Sequence, residues 1–193
     1  MFSLSNLYNF VSETRDKGLY KIMRPYFDNT PEYVFRELFY AHNGFFKNEF
    51  QGLLDTEAED DEIEDTFMEW TDIKWKKKVI SVNINDFTGS TQGSMKSRGM
   101  GTVHMDHVPD DEKRTELQKE LAAKYKGGKN EPVILIKTGS GYELLEGWHR
   151  TMSILSLGMK EDTDYNKWDK VKLNAWIGVG DYNDEIAKNF GTF

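Results

Sequence analysis

The sequence predicts an α+β fold, a small mixed sheet with helices, preceded by an α-helical N-terminal extension. Three observations carry that expectation. Apolar and aromatic side chains recur at helical spacing through residues 1–52, β-branched runs appear only beyond residue 78, and an acidic segment at residues 55–69 separates the two patterns. The boundary is placed at residue 75, with residues 1–75 as the extension and residues 76–193 as the α+β domain. A chain of 193 residues is long enough to bury a sizeable core.

Leu4, Leu7, Tyr8 and Val11 fall on one face of a first helix. A second is expected to enter through Thr30 as N-cap and Pro31 as first helical residue, presenting Val34, Leu38, Phe39, Phe45 and Phe46 to a core. The acidic segment has the composition of a solvated face, a loop or a charged helix start. Lys74, Lys76, Lys77 and Lys78 follow it around Trp75, and two readings stand: a nucleic-acid contact built of lysines around an aromatic, or a surface helix end pairing with the acids.

From residue 79 the pattern changes. Val79, Ile80, Val82 and Ile84 make a first strand, ended by the turn-like Asn85-Asp86. Residues 88–101 (TGSTQGSMKSRGMG) read as a long loop able to close over a ligand. A helix is expected from Pro109, with Asp110, Asp111 and Glu112 at its positive end and Leu117 and Leu121 on one face, closed by Gly127-Gly128. Pro132–Lys137 reads as a buried strand, Thr138–Gly141 as a turn and Tyr142–Leu145 as the returning strand. Gly147 opens another helix running to about Leu157. Val171, Leu173, Ala175 and Ile177 then alternate with Lys172, Asn174 and Trp176 in the clearest strand, and Asp181 is placed to cap a last short helix.

The formal net charge is −8, but nine acids and no Lys or Arg lie in residues 55–69, leaving 24 acids against 25 bases elsewhere. That balance does not favour a protein that coats nucleic-acid phosphates, and it leaves room for a local basic site for one anionic ligand. Cysteine is absent, which excludes disulfides, thiolate metal sites and cysteine chemistry. No apolar run reaches the roughly 20 residues of a membrane span. The opening MFSLSN lacks the features of a signal peptide, so a cytoplasmic location without membrane contact is expected.

The segment richest in chemistry is Glu146-Gly147-Trp148-His149-Arg150, at the mouth of the helix that follows the strand-turn-strand. A helix amino end carries a partial positive charge and unpaired N–H groups, and Gly147 permits close approach to that backbone. Cations in the first turn are unfavourable by about 0.3–1 kcal/mol unless an anion compensates. His149 and Arg150 there make most sense with a bound phosphate; the plain alternative is a helix start whose basic side chains reach solvent or nearby acids.

With EPVILIK and GSGYELLEG before it and a helix and strand after it, this segment resembles the ParB/sulfiredoxin superfamily. In that superfamily a proline-led strand and a G-Y-x-L-x-x-G strand precede a G-x-[HR]-R motif. The resemblance covers about half the chain, Val79 to Gly180, most strongly Glu131 to Leu157. It implies binding of ATP or CTP phosphates, with Mg2+, at Gly147, His149 and Arg150. Sulfiredoxins place a reactive cysteine where this chain has Trp148, which excludes sulfinic-acid reduction. The later nucleotide motif, helix-turn-helix and dimerisation domain of the partition proteins have no room here. The free-serine kinases, with an acid before the glycine and a His-containing run ending in arginine, are similar to Glu146–Arg150. A small stand-alone member without cysteine would suit a phage.

The expected function is therefore nucleotide binding with hydrolysis or phosphoryl transfer, which needs a charge clamp, a metal ion on the phosphates and a base. Gly147, His149 and Arg150 are the expected clamp, Glu146 the base or magnesium contact with His149 as its catalytic neighbour, and Lys96 or Arg98 a second clamp. Trp148 either stacks on a base or wedges into the core. His104, Asp106 and His107 form a second candidate, able to bind a divalent metal or simply to precede the helix cap at Asp110. The alternatives are a ParB-like DNA-binding protein or nuclease, and a non-catalytic interaction module. Acceptor, oligomeric state and the role of residues 1–75 are open at this level.

Overall fold

The computed structural model describes residues 21, 23–40, 60–97, 131–158 and 167–190. The chain divides into two compact units, Met1–Trp75 with Gly178–Asn183, and Lys76–Ile177 with Asp184–Phe193.

Apart from the strand ends Lys74–Trp75 and Gly178–Val179, the described elements of the first unit are helical. A 3-10 turn, Arg24–Phe27, leads to a short helix α1, Glu32–Phe35, which widens into a π turn over Arg36–Tyr40. Pro31 takes the N-cap position (φ −57°, ψ 143°), so the helix begins one residue later than Thr30 and Pro31 suggest. Thr30 is buried instead, its amide donating to Phe27 O at 3.0 Å and its carbonyl accepting from Arg24 Nη2 at 2.8 Å. Helix α2, Asp60–Thr71, takes up the second half of the acidic segment. It folds because Ile63, Phe67 and Trp70 recur on one face and are buried, while Asp61, Glu64 and Asp65 stay in water. Phe27 meets Phe67 edge-on at 5.3 Å and Phe35 at 5.5 Å, and each such buried ring stabilises by about 1.5–3 kcal/mol. Residues 1–20, Phe45 and Phe46 lie outside the described residues.

The second unit is built on a four-stranded sheet of order β1-β4-β2-β3, with β1 Lys74–Val82, β2 Val133–Lys137, β3 Tyr142–Glu146 and β4 Val171–Val179. Helices α3 (Gly89–Ser97), α4 (Trp148–Ser156) and α5 (Asn183–Phe190) accompany it, giving a mixed α+β fold. Val82, Phe87, Leu135, Leu144, Met152 and Leu173 anchor its core. The alternation in β4 works as its sequence implies: Leu173, Ala175 and Ile177 are buried and Lys172 is exposed.

Three elements differ from expectation. The lysine run is not a helix end, and among the described residues it is not paired with the acids; it forms the start of β1, because backbone pairing with β4 outweighs having only Trp75 as an apolar side chain before Val79. Residues 89–97 are helical rather than a loop: Thr88 Oγ1 accepts the Thr91 N–H at 3.2 Å as a cap, and Thr91 and Met95 are fully buried. The last helix opens at Asn183, whose side-chain amide donates to Gly178 O at 3.0 Å, with Asp181 in the preceding turn. The helix expected from Pro109 lies outside the described residues.

Candidate functional site

The hairpin of β2 and β3 delivers the chain to the mouth of α4. The two strands pair antiparallel, Leu135 opposite Leu144 and Lys137 opposite Tyr142. Their turn is closed by Thr138, whose amide donates to Gly141 O at 2.9 Å and whose hydroxyl accepts the Ser140 and Gly141 N–H groups. Asp184 Oδ1 of α5 accepts the Gly139 N–H at 3.0 Å and ties the turn to the last helix.

Beyond Glu146 the chain turns abruptly through Gly147 (φ 97°, ψ 29°), and α4 follows with its first helical bond from Thr151 N to Gly147 O at 2.8 Å. Glycine is needed twice over. That left-handed conformation costs other residues roughly 1–2 kcal/mol, and a Cβ there would lie 2.7 Å from Val133 Cγ1. The space above Gly147 that the sequence reserves for a ligand is therefore partly filled by the protein's own β2.

Arg150 folds back toward this glycine, its Nε 3.3 Å from where a Gly147 Cβ would stand. Its Nη1 meets Glu131 Oε2 at 2.9 Å and its Nη2 meets Glu146 Oε1 at 3.6 Å. The Arg150 side chain is only 13% exposed, whereas the Glu131 and Glu146 side chains are 79% and 39% exposed. Ion pairs with such exposed partners are worth about 0.2–1 kcal/mol. His149 is exposed on the same turn, and its carbonyl accepts Ser153 Oγ at 2.6 Å. Trp148 packs, half-buried, against the core cluster.

Glu146, Gly147, Trp148, His149 and Arg150 are thus gathered at one helix end, joined by Glu131, which the sequence reading did not single out. Lys96 is exposed on α3 rather than carried by a flexible loop. Arg98, His104, Asp106 and His107 lie outside the described residues. Among the described residues no cluster of three His, Asp or Glu side chains is arranged to hold a metal ion.

A second acid escaped the sequence reading. Glu143, in the middle of β3, is 3% exposed and receives a hydrogen bond from the Thr88 hydroxyl at the amino end of α3. Thr88 Oγ1 already accepts the Thr91 N–H, and Thr91 Oγ1 accepts the Leu144 N–H at 3.0 Å. With those acceptor positions taken, the hydroxyl protons are left for the carboxylate. Burial pushes the Glu143 carboxyl above the ordinary glutamate range, against hydrogen bonds from Thr88, Thr91 and Ser90 that lower it. The available signal was an acid inside the apolar run Tyr142–Leu145, in a chain with a Thr- and Ser-rich stretch to satisfy it.

No family model, curated protein or solved structure matches this chain at a significant level. Among the described residues no helix is long and apolar enough to cross a membrane.

Proposed function

We propose that this chain contains a ParB/sulfiredoxin-like domain that binds ATP or CTP with magnesium, its phosphates at the amino end of α4, and that it hydrolyses the nucleotide or transfers its terminal phosphoryl group. The supporting observation is the placement of Arg150. Its side chain is largely withdrawn from solvent, lies against the left-handed glycine that starts the helix, and attracts carboxylate oxygens from two separate segments. Carboxylate oxygens on an arginine stand in for the oxygens of any anionic ligand, and a phosphate accepts the same paired N–H donors more strongly.

The helix dipole adds a favourable field for that anion. Glu131 is mostly in water and its single short bond is weak enough to exchange for a phosphate oxygen. Exposed His149 is the adjacent donor for a second oxygen. Magnesium needs one or two carboxylates besides phosphate and water, and the oxygen donors of Glu146 and Glu131 suit it; it would neutralise charge on the phosphates. Glu146 is also the carboxylate available to orient an attacking hydroxyl or water. Trp148 packs half-buried against the core, leaving part of its ring beside the nucleotide site.

Isothermal titration with ATP and CTP in magnesium buffer tests the proposal. Wild type is expected to bind one of them, and Arg150→Ala to weaken that binding at least tenfold, the effect of losing a charged hydrogen bond worth about 1.5–3 kcal/mol. Absence of binding by wild type to both nucleotides overturns it.

A further inference from the structure

Charge is distributed unevenly over the sheet. β1 (KWKKKVISV) and β4 (VKLNAWIGV) are neighbours and together hold five lysines and no acid, in a chain whose 33 acids outnumber its 25 bases. Leu173, Ala175 and Ile177 of β4 point into the core cluster, as do Ile80 and Val82 of β1. Alternation then sends Lys172, Asn174 and Trp176 of β4, with Lys77, Val79 and Ser81 of β1, to the opposite face. That half of the face is open: Lys77, Ser81 and Lys172 are exposed, Val79 is 65% exposed, and Trp176 and Asn174 are partly exposed. Lys76 and Lys78 are exposed on the other side of the same strand.

Among the described residues, none of Lys76, Lys77, Lys78 and Lys172 is in an ion pair. On β1, Lys76 and Lys78 share one face about 6.6–6.8 Å apart, within the roughly 8 Å screening length of physiological salt, while Lys77 and Lys172 stand on the other face of the sheet. Lys76, Lys77 and Lys78 therefore make this stretch of β1 locally positive, with no ion-paired acid among the described residues. Trp75, the aromatic that the sequence sets among the lysines, is not the one available to a ligand: its ring edge lies against Gly178, whose added Cβ would come within 3.0 Å of Trp75 Cη2 and Cζ3. Trp176 stands on the same face as Trp75, Lys77 and Lys172 and is partly exposed.

We infer that the open face of β1 and β4 binds single-stranded nucleic acid, with Lys77 and Lys172 on the phosphates and Trp176 stacking on a base. Cations beside a partly exposed aromatic on a flat sheet are the combination single strands require, since unpaired bases present ring faces that a duplex keeps stacked. An acidic polypeptide would use the lysines and leave Trp176 idle. This site is separate from the mouth of α4 and does not depend on nucleotide binding there.

The test is fluorescence anisotropy of a labelled oligothymidylate with the full chain, at low salt and across a salt series. Wild type is expected to bind with a log–log salt dependence. The exposed double variant Lys77→Glu/Lys172→Glu should bind at least tenfold more weakly and with a slope lower by about 1.4, at roughly 0.7 per phosphate contact on a single strand. Trp176→Ala should lose roughly tenfold with the slope unchanged, and Trp176→Phe should recover most of that loss. Melting temperature and circular dichroism report on folding, and the exposed lysine pair gives an answer even if Trp176→Ala unfolds. Absence of binding at low salt overturns the inference, as does binding insensitive to the lysine pair. Equal affinity for polyglutamate with no effect of Trp176→Phe or Trp176→Ala reassigns the face to an acidic protein. Salt-sensitive self-association abolished by the lysine pair reassigns it to a second copy; either result overturns the nucleic-acid reading.

Discussion

The amino ends of α3 and α4 meet the same physical demand in opposite ways. At α3 the demand is met from within: Thr88 caps the first turn, and its hydroxyl donates to the buried Glu143 side chain behind it. At α4 the chain enters through Gly147, which has no side chain to cap with, and places His149 and Arg150 where a helix prefers acids. Its anionic partners, Glu131 and Glu146, are largely solvated and reach in from outside the helix. A carboxyl group fixed in place by burial makes α3 an anchor, whereas exchangeable anions make α4 the end at which a ligand can compete.

The sharpest way to break this contrast is at Gly147. Gly147→Ala combines a left-handed conformation with a 2.7 Å approach to Val133, and should lower stability in urea unfolding by about 2–4 kcal/mol. An unchanged midpoint would mean that the strand-to-helix turn is looser than described. Thr88→Val comes next. It keeps the shape but removes a cap and the donor to Glu143, leaving the Thr91 N–H and a buried carboxylate without this hydroxyl, for a loss of about 2–3 kcal/mol. A cost below about 0.5 kcal/mol, the ordinary range for surface substitutions, would remove α3 from the role of anchor.

Glu143 sets a pH signature beside α3. Its folded-state carboxyl titrates above the reference value of 4.5, so the folded protein holds that proton more tightly than the unfolded chain does. The contribution is stabilising below that reference value and is lost as pH rises through the raised folded value. Wild type should therefore lose stability relative to Glu143→Gln as pH is raised from about 4 toward neutrality, measured as the gap in melting temperature. A gap constant with pH would show that Glu143 does not titrate in the folded state's favour. The smallest effect is expected at exposed His149, where alanine should weaken nucleotide binding by a few fold, about 1 kcal/mol, without shifting the melting temperature.

Much of the hairpin and its surroundings was legible because each element satisfies its pattern locally. Val133–Ile136 is a continuous apolar run and is fully buried; Val171–Ile177 alternates and is buried on alternate residues; Gly147 stands where a strand must turn into a helix. α3 was not legible. Its sequence GSTQGSMKS is poor in helix formers and has only Met95 as a large apolar residue, so its helix depends on a cap and on burial against the core. The lysine run misled for a related reason, since charge hides the two-residue period of a strand when both faces of its exposed end are solvated.

By itself, then, the sequence determined the α+β class, the helix mouth at Gly147–Arg150 and the exclusion of cysteine chemistry, because pattern and residue type are sufficient for each. Only the tertiary structure decided that Arg150 is shared between Glu131 and Glu146, that Glu143 is buried against Thr88, and that Trp75 lies with its ring edge against Gly178. These are contacts between residues far apart in the chain or choices of strand face. Neither is encoded in local spacing; both arise from how the sheet and its helices close around a common core.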